Sequence, residues 1–135
     1  MTWKIDKCFM TGCDSKTEWL LEWFIDNYLK YNDIPMIFAN FGVSDEMLEF
    51  VKNSGKFNGI MDVSKKSEKG WFLKPYSMLN TPARETYWID TDCEVLGDIS
   101  PLFKMLETEK LSMAEDKPWS KRRNELWFNS GIVGF

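Results

Sequence analysis

Two carboxylates one residue apart, Asp90 and Asp92, are the side chains in this sequence best suited to chemistry. Oxygen donors at i and i+2 on a chain leaving a strand can share one hard divalent cation, whose remaining positions go to water and phosphate oxygens. The pair lies in residues 87–103, Y-W-I-D-T-D-C-E-V-L-G-D-I-S-P-L-F. Three strand formers, Tyr87, Trp88 and Ile89, run into it. Val95 and Leu96 follow, then Gly97-Asp98 and a proline-led helix start at Ser100-Pro101. Carboxylates at the C-terminal end of a buried strand stand where open α/β sheets bind their ligands. The spacing alone also suits a solvated turn, in which Asp bonds its own backbone. The apolar segments on both sides are what favour a site.

The elements that must position this pair alternate along the chain. An apolar segment around Cys8, Phe9 and Met10 reads as a first strand ending in the loop Thr11-Gly12-Cys13-Asp14. Ser15 and Glu18 have capping-box spacing. The helix after them is expected to turn Leu20, Trp23, Phe24, Tyr28 and Tyr31 towards the core. Residues 35–41 form a near-continuous apolar run, as in a strand covered on both faces. Ser44, Asp45 and Glu46 start a second helix carrying Met47, Leu48, Phe50 and Val51, which stops near Gly55. Residues 59–63 are a third strand, and residues 64–70 a surface loop. Pro75 fits the first turn of a short helix running towards Asn80. Residues 81–85 lead back into the central strand. Beyond the acidic pair come a short helix over 101–106 and a strand over 111–114. Residues 115–127 are polar and basic in the middle, with Lys117, Lys121, Arg122 and Arg123 set among Trp119 and Trp127. A charged stretch of this kind reads as a solvated loop. Residues 128–135 return to an apolar strand. Strand and helix in alternation predict a mainly parallel sheet wound with helices.

Composition narrows the function classes. The 135 residues suit one domain, 1–135, large enough to bury about two-thirds of the surface its unfolded chain exposes. Seven Trp and ten Phe supply a core. Seventeen Lys and Arg against 21 Asp and Glu leave a net charge of -4, which argues against a nucleic-acid partner. The three cysteines, Cys8, Cys13 and Cys93, contain no C-x-x-C pair. The chain has no His, so the usual Cys/His zinc site cannot be assembled. Widely spaced thiols, no leader-like apolar run and no membrane span lead to the expectation of a cytoplasmic protein. The apolar final strand has no polar tail after it, so the domain is expected to be incomplete at its C-terminal end.

The segment around Asp90 and Asp92 resembles the D-x-D region of nucleotide-sugar-dependent glycosyltransferases of the A-type fold, in particular the glycogenin-like and lipopolysaccharide galactosyltransferase-like group. In that group a strand ends in D-x-D, and an apolar stretch and a short helix beginning near P-L-F follow. The resemblance implies a Rossmann-like α/β/α sandwich with a mixed, mainly parallel sheet. It implies that Thr11 and Asp14 hold the nucleotide, and that Lys74, ahead of the D-x-D, meets phosphate or donor sugar. Asp90 and Thr91 would contact the nucleotide sugar, and Asn129, Ser130 and Gly131, the N-S-G of the last strand, the sugar itself. Asp90 and Asp92 would hold Mn²⁺ or Mg²⁺. The expected partners are a nucleotide-diphosphate sugar donor and an acceptor that is a glycan, lipid or protein. The group completes its metal site with a His, which this chain lacks.

Two other readings remain beside the transferase. A truncated or degenerate domain would bind nucleotide without turnover. Haloacid-dehalogenase-like phosphatases also place D-x-D after an apolar strand, with the first Asp as nucleophile and the second as acid/base. Their motif continues with Gly and then Thr or Val, where this chain has Cys93 and Glu94, and it normally lies on the first strand. Cys93 reads as a small buried residue, because no base accompanies it.

Overall fold

The computed structural model describes residues 3–67 and 70–135. Glu68 and Lys69, part of the expected 64–70 loop, lie outside the described residues, as do Met1 and Thr2. The described strands are β1 (Ile5–Cys13), β2 (Met36–Asn40), β3 (Gly59–Asp62), β4 (Ala83–Ile89), β5 (Ser112–Glu115) and β6 (Phe128–Gly134). They form one sheet in the order β3-β2-β1-β4-β6-β5. The first four are mutually parallel, and β6 runs antiparallel to both β4 and β5. This is the mixed, mainly parallel sheet that the alternating elements predict.

Side chains alternate across a strand, so each buried strand supplies two cores. On one face Phe9, Met36, Tyr87 and Ile89 meet Phe24, Ile25 and Tyr28 of α1 (Leu21–Leu29) and Phe103 of the 3-10 helix Ser100–Met105. The rings of Phe9 and Tyr87 stand edge-on to Phe103, with centroids 5.1 and 5.3 Å away. Such pairs add about 0.5–1.5 kcal/mol each beyond their buried area. Phe38 and Cys13 continue this face beneath Val51 of α2 (Asp45–Asn53). On the other face Cys8, Met10, Ile37, Ala39, Trp88 and Val133 pack with Met78 of α3 (Gly70–Leu79). Helices on both faces make the expected α/β/α layering.

Three local expectations change. The buried residues of α1 are Leu21, Phe24, Ile25 and Tyr28, while Trp23 and Tyr31 are 41% and 50% exposed. Leu21, Phe24, Ile25 and Tyr28 follow i, i+3, i+4, i+7 spacing, and it is this face of the helix, which starts after a 3-10 turn at Glu18–Leu20, that docks on the sheet. The capping box does not form, because the Glu18 carboxylate is engaged elsewhere. It accepts from the Ser44 N–H at 2.8 Å and from Ser44 Oγ at 2.7 Å. Ser44 in turn caps α2, as its sequence predicts, by accepting from the Met47 N–H at 3.2 Å. Finally, Pro75 lies inside α3 rather than in its first turn. Its missing N–H leaves the Trp71 carbonyl without a helical partner. Trp71 is 80% exposed, so water can take that place.

Candidate functional site at the C-terminal end of the central strand

Strand β4 ends at Ile89, and the next residue, Asp90, is held from three directions. Its N–H donates to the Gly131 carbonyl at 2.8 Å. Its Oδ1 accepts from Trp88 Nε1 at 2.7 Å and from Lys74 Nζ at 2.9 Å. Lys74 also donates to the Ser130 carbonyl, so one ammonium ties α3 to β4 and β6. That ammonium lies 5.6 Å from the centre of the Trp88 ring, within cation–π range. The Lys74 and Asp90 side chains are 18% and 37% exposed, so this pair is screened less than one at the open surface.

The indole of Trp88 stacks on Phe41, with centroids 5.8 Å apart and planes 3° from parallel. Gly12 makes that possible. A Cβ there would lie 2.7 Å from the Ala39 carbonyl oxygen and 2.9 Å from a ring atom of each aromatic. Phe41, backed by the buried Trp88, forms one side of an open hollow of about 320 Å³, lined also by Asp14, Lys16, Asp90, Thr91 and Asp92. A second hollow, of about 350 Å³, shares Asp90 and Asp92 and adds Cys93, Asn129, Ser130 and Gly131. Two larger hollows, of about 490 and 500 Å³, lie away from these carboxylates. The second of them opens at the N-terminal ends of β1 to β3, the opposite end of the parallel strands from the one that binds ligands in such sheets.

The direction of β6 puts N-S-G beside D-x-D. Antiparallel pairing sets Ile89 against Ile132, so the start of β6 meets the end of β4. A parallel strand would have carried Asn129 to the far edge. The pairing of β6 with β5 is also irregular. It passes from Met113↔Val133 to Ala114↔Asn129, leaving Ser130, Gly131 and Ile132 without partners in β5. Bulges re-aim backbone beside sites in this way, and here the Ser130 carbonyl, unpaired with β5, accepts from Lys74, while the Gly131 carbonyl continues the β4–β6 ladder to the Asp90 N–H. Asn129 Oδ1 accepts from the Gly131 N–H at 2.8 Å, which leaves the amide NH₂ free to donate to a ligand. A Cβ at Gly131 would lie 2.9 Å from that same oxygen.

The structure therefore brings together Asp14, Lys74, Asp90, Thr91, Asp92, Asn129, Ser130 and Gly131. Thr11 does not join them. It is fully buried within β1, which continues to Cys13, and its hydroxyl has no hydrogen-bond partner. Asp14, just past the strand, accepts from the Lys16 N–H at 2.9 Å. Gly12, Phe41 and Trp88 were not singled out in the sequence. The available signal was alternation: Trp88 points to the opposite face from Tyr87 and Ile89.

Burial above all, then the charges of Asp92 and Asp90, push the Cys93 thiol up from its ordinary range. A protonated thiol is a poor nucleophile. The exposed Asp92 carboxylate accepts no hydrogen bond among the described residues, and Asp90 keeps Oδ2. Among the described residues no group of three His, Cys, Asp or Glu side chains gathers that could hold a metal ion. The donor set is thus two carboxylates, and further positions would have to come from elsewhere.

Solved structures that the chain resembles are glycosyltransferases. It superposes on the glycosyltransferase GlyE of Streptococcus pneumoniae TIGR4 with a TM-score of 0.71 at 17% identity, over 95% of this chain. For the galactosyltransferase LgtC, solved with donor and acceptor sugar analogues, the TM-score is 0.63 at 14% identity, over 94% of this chain. The bifunctional glycosyltransferase WbbM gives 0.66 at 13% identity over the whole chain. The chain has the A-type glycosyltransferase fold. It spans 33% of the length of GlyE, 32% of WbbM and 56% of LgtC. No protein-family model and no curated protein matches the sequence. Within the A-type fold the two hollows lie at the carboxyl edge of the parallel strands, around the D-x-D.

Proposed function

We propose that this A-type domain binds a nucleotide-diphosphate sugar at Asp90 and Asp92 and belongs to a glycosyltransferase that passes the sugar to an acceptor. The observation that carries the reading is the convergence of Lys74, the D-x-D carboxylates and the N-S-G turn on one patch, at the strand ends where sheets of this kind hold ligands. The polarity of the patch suits a diphosphate. Lys74 supplies a fixed positive charge, the Asn129 amide a donor for a sugar hydroxyl, and Gly131 room for close approach. Asp14, with Lys16 and Phe41 across the first hollow, is placed for the nucleoside end.

Two carboxylates fit Mg²⁺ or Mn²⁺, which are commonly held by one or two carboxylates with substrate phosphates and water. Asp90 Oδ2 and the Asp92 carboxylate are the oxygens that would hold it. When bound, such a cation neutralises charge on the departing nucleoside diphosphate. Lys74 already occupies Asp90 Oδ1, so its ammonium and the cation would flank the same carboxylate. The fold favours this reading over the phosphatase one. A domain that binds donor without turnover is the second reading, favoured by the lack of a third protein ligand among the described residues.

Calorimetric titration of UDP and then GDP, with Mn²⁺ and again with excess chelator, tests the proposal. Metal-dependent binding of one nucleotide is expected, and Asp92→Asn should abolish the metal-dependent part. Unchanged affinity in that variant, or no binding by a folded chain, would sink the assignment. Release of free sugar or transfer to an added acceptor separates turnover from binding alone.

A further inference from the structure

Residues 116–127 leave the sheet between β5 and β6 and fold back on themselves around α4 (Lys117–Arg123). The Asp116 N–H donates to the Trp127 carbonyl at 2.8 Å, and the Trp127 N–H donates to Ser120 Oγ at 3.0 Å. Asp116 caps α4 through the Trp119 N–H, and Asn124, in the left-handed region at φ 54°, closes it. These bonds fix two indoles side by side, Trp119 and Trp127, with centroids 6.2 Å apart. The Arg122 guanidinium sits 5.0 Å from the Trp119 ring, and that of Arg123 lies 5.2 Å from Trp119 and 6.0 Å from Trp127.

The charges of this hairpin are unspent. Among the described residues no carboxylate pairs with Lys117, Lys121, Arg122 or Arg123, whereas the remaining arginine, Arg84, is paired with Asp6 and Glu85. Residues 116–127 carry four cations against two carboxylates, in a chain of net charge -4. Of these carboxylates, Asp116 accepts from the Trp119 N–H at 3.3 Å and Glu125 from Trp127 Nε1 at 3.0 Å. The same stretch and the residue after it expose apolar surface: Leu126 is 66% and Phe128 53% exposed, beside the two half-exposed indoles.

A merely solvated loop has no use for Trp, Leu and Phe at its surface. A soluble anion would satisfy the arginines and leave Leu126 and Phe128 in water. An anionic bilayer satisfies both, because basic groups meet headgroup phosphates while aromatic and aliphatic side chains enter the headgroup–acyl boundary. Guanidinium groups stacked on indoles keep their N–H edges turned outward for phosphate oxygens. We propose that the β5–β6 hairpin docks this protein on anionic lipid surfaces, with Arg122 and Arg123 as the charged contacts and Trp119, Leu126, Trp127 and Phe128 as the inserted ones. Among the described residues no helix is long and apolar enough to cross a membrane, so the contact is peripheral. Phe128 directly precedes Asn129, so docking sets the Asn129–Gly131 hollow close to the bilayer. This goes beyond the donor-site reading and stands whether or not that reading holds.

Co-sedimentation of the 135-residue chain with phosphatidylcholine vesicles, with and without phosphatidylglycerol, tests it at low and high salt. Binding is expected only with the anionic lipid and should weaken with salt. Arg122→Gln with Arg123→Gln should reduce partitioning roughly ten- to thirtyfold. Leu126→Ser with Phe128→Ser should weaken binding while leaving its salt dependence in place. Asp92→Asn should bind vesicles as the parent does, which separates this result from failure of the nucleotide site. A folded chain that stays in the supernatant overturns the proposal, as does binding indifferent to the double arginine variant. Affinity for glycerol phosphate equal to that for vesicles would make this a soluble-anion site. Dimerisation lost in Phe128→Ser, without vesicle binding, would make it a protein interface.

Discussion

Asp90 serves the fold and the proposed chemistry with different atoms. Its backbone N–H continues the β4–β6 pairing, and Oδ1 takes Trp88 and Lys74. Only Oδ2 is left for a ligand. Asp92 lies outside the strand and carries no such duties, which makes Asp92→Asn the cleaner probe of metal-dependent binding. Gly12 shapes the site through the side chain it lacks. Its missing Cβ lets the Trp88–Phe41 stack lie across the strand end, against the backbone of Ala39. Because a carbonyl oxygen and two packed rings would all be met at once, Gly12→Ala should cost about 1–3 kcal/mol, as overpacking does. A lower urea midpoint with an unchanged slope would show this. An unchanged midpoint would mean that the stack gives way freely.

At the scale of elements, β6 and the start of α2 do the positioning. β6 reverses direction relative to the parallel strands and bulges at residues 130–132, so the N-S-G turn faces the D-x-D rather than pairing with β5. The start of α2 is tied to the turn after β1 through Ser44, which caps its own helix and donates to Glu18. Ser44→Ala removes a cap worth about 1 kcal/mol and a charge-assisted bond of similar size. A total loss of about 1–2 kcal/mol is expected, with Thr largely restoring it. Thermal melts of the two variants measure this, and equal melting of Ala and parent would remove the bridge from the account.

For the whole molecule, the buried thiol and phenol under the helices set a limit at alkaline pH. Burial first, then Glu18 and Asp14, push the Cys13 thiol up to about 12. Burial, then the charge of Asp33, raises Tyr28, whose hydroxyl donates to the Ile34 carbonyl. Both groups stay protonated in the fold after they would ionise in the unfolded chain. The thiol's contribution is complete below pH 9, its ordinary value, and is lost as pH rises towards about 12, whereas the phenol's is complete below pH 10 and is lost only at still higher pH. The melting temperature should therefore fall steadily above pH 9, and less steeply in Cys13→Ala. A flat profile across that window would contradict the burial of these groups.

Most of the element order and the D-x-D at the end of a buried strand were legible in the sequence. Each follows from local rules: side-chain period, helix caps and turn residues. Helix α4 was not legible, because residues 115–127 read as a charged loop and instead contain a helix capped by Asp116. The core face of α1 was not either, because Trp23 and Tyr31 lie on a neighbouring apolar stripe of the same aromatic-rich segment, and only packing on the sheet selects Leu21, Phe24, Ile25 and Tyr28. The aromatic support behind the site was hidden as well. Trp88 and Phe41 read as ordinary core residues until two parallel strands place them face to face across Gly12. The Glu18–Ser44 bridge joins residues far apart in the chain, so spacing could suggest only the capping box that this bridge replaces. The nearness of N-S-G to D-x-D depends on the antiparallel direction of β6, which no local pattern encodes. Local periodicity determines which segments are strands and helices. Neighbour order, strand direction and the bulge are decided only when the sheet assembles, and they gather the carboxylates, the ammonium and the amide at one edge.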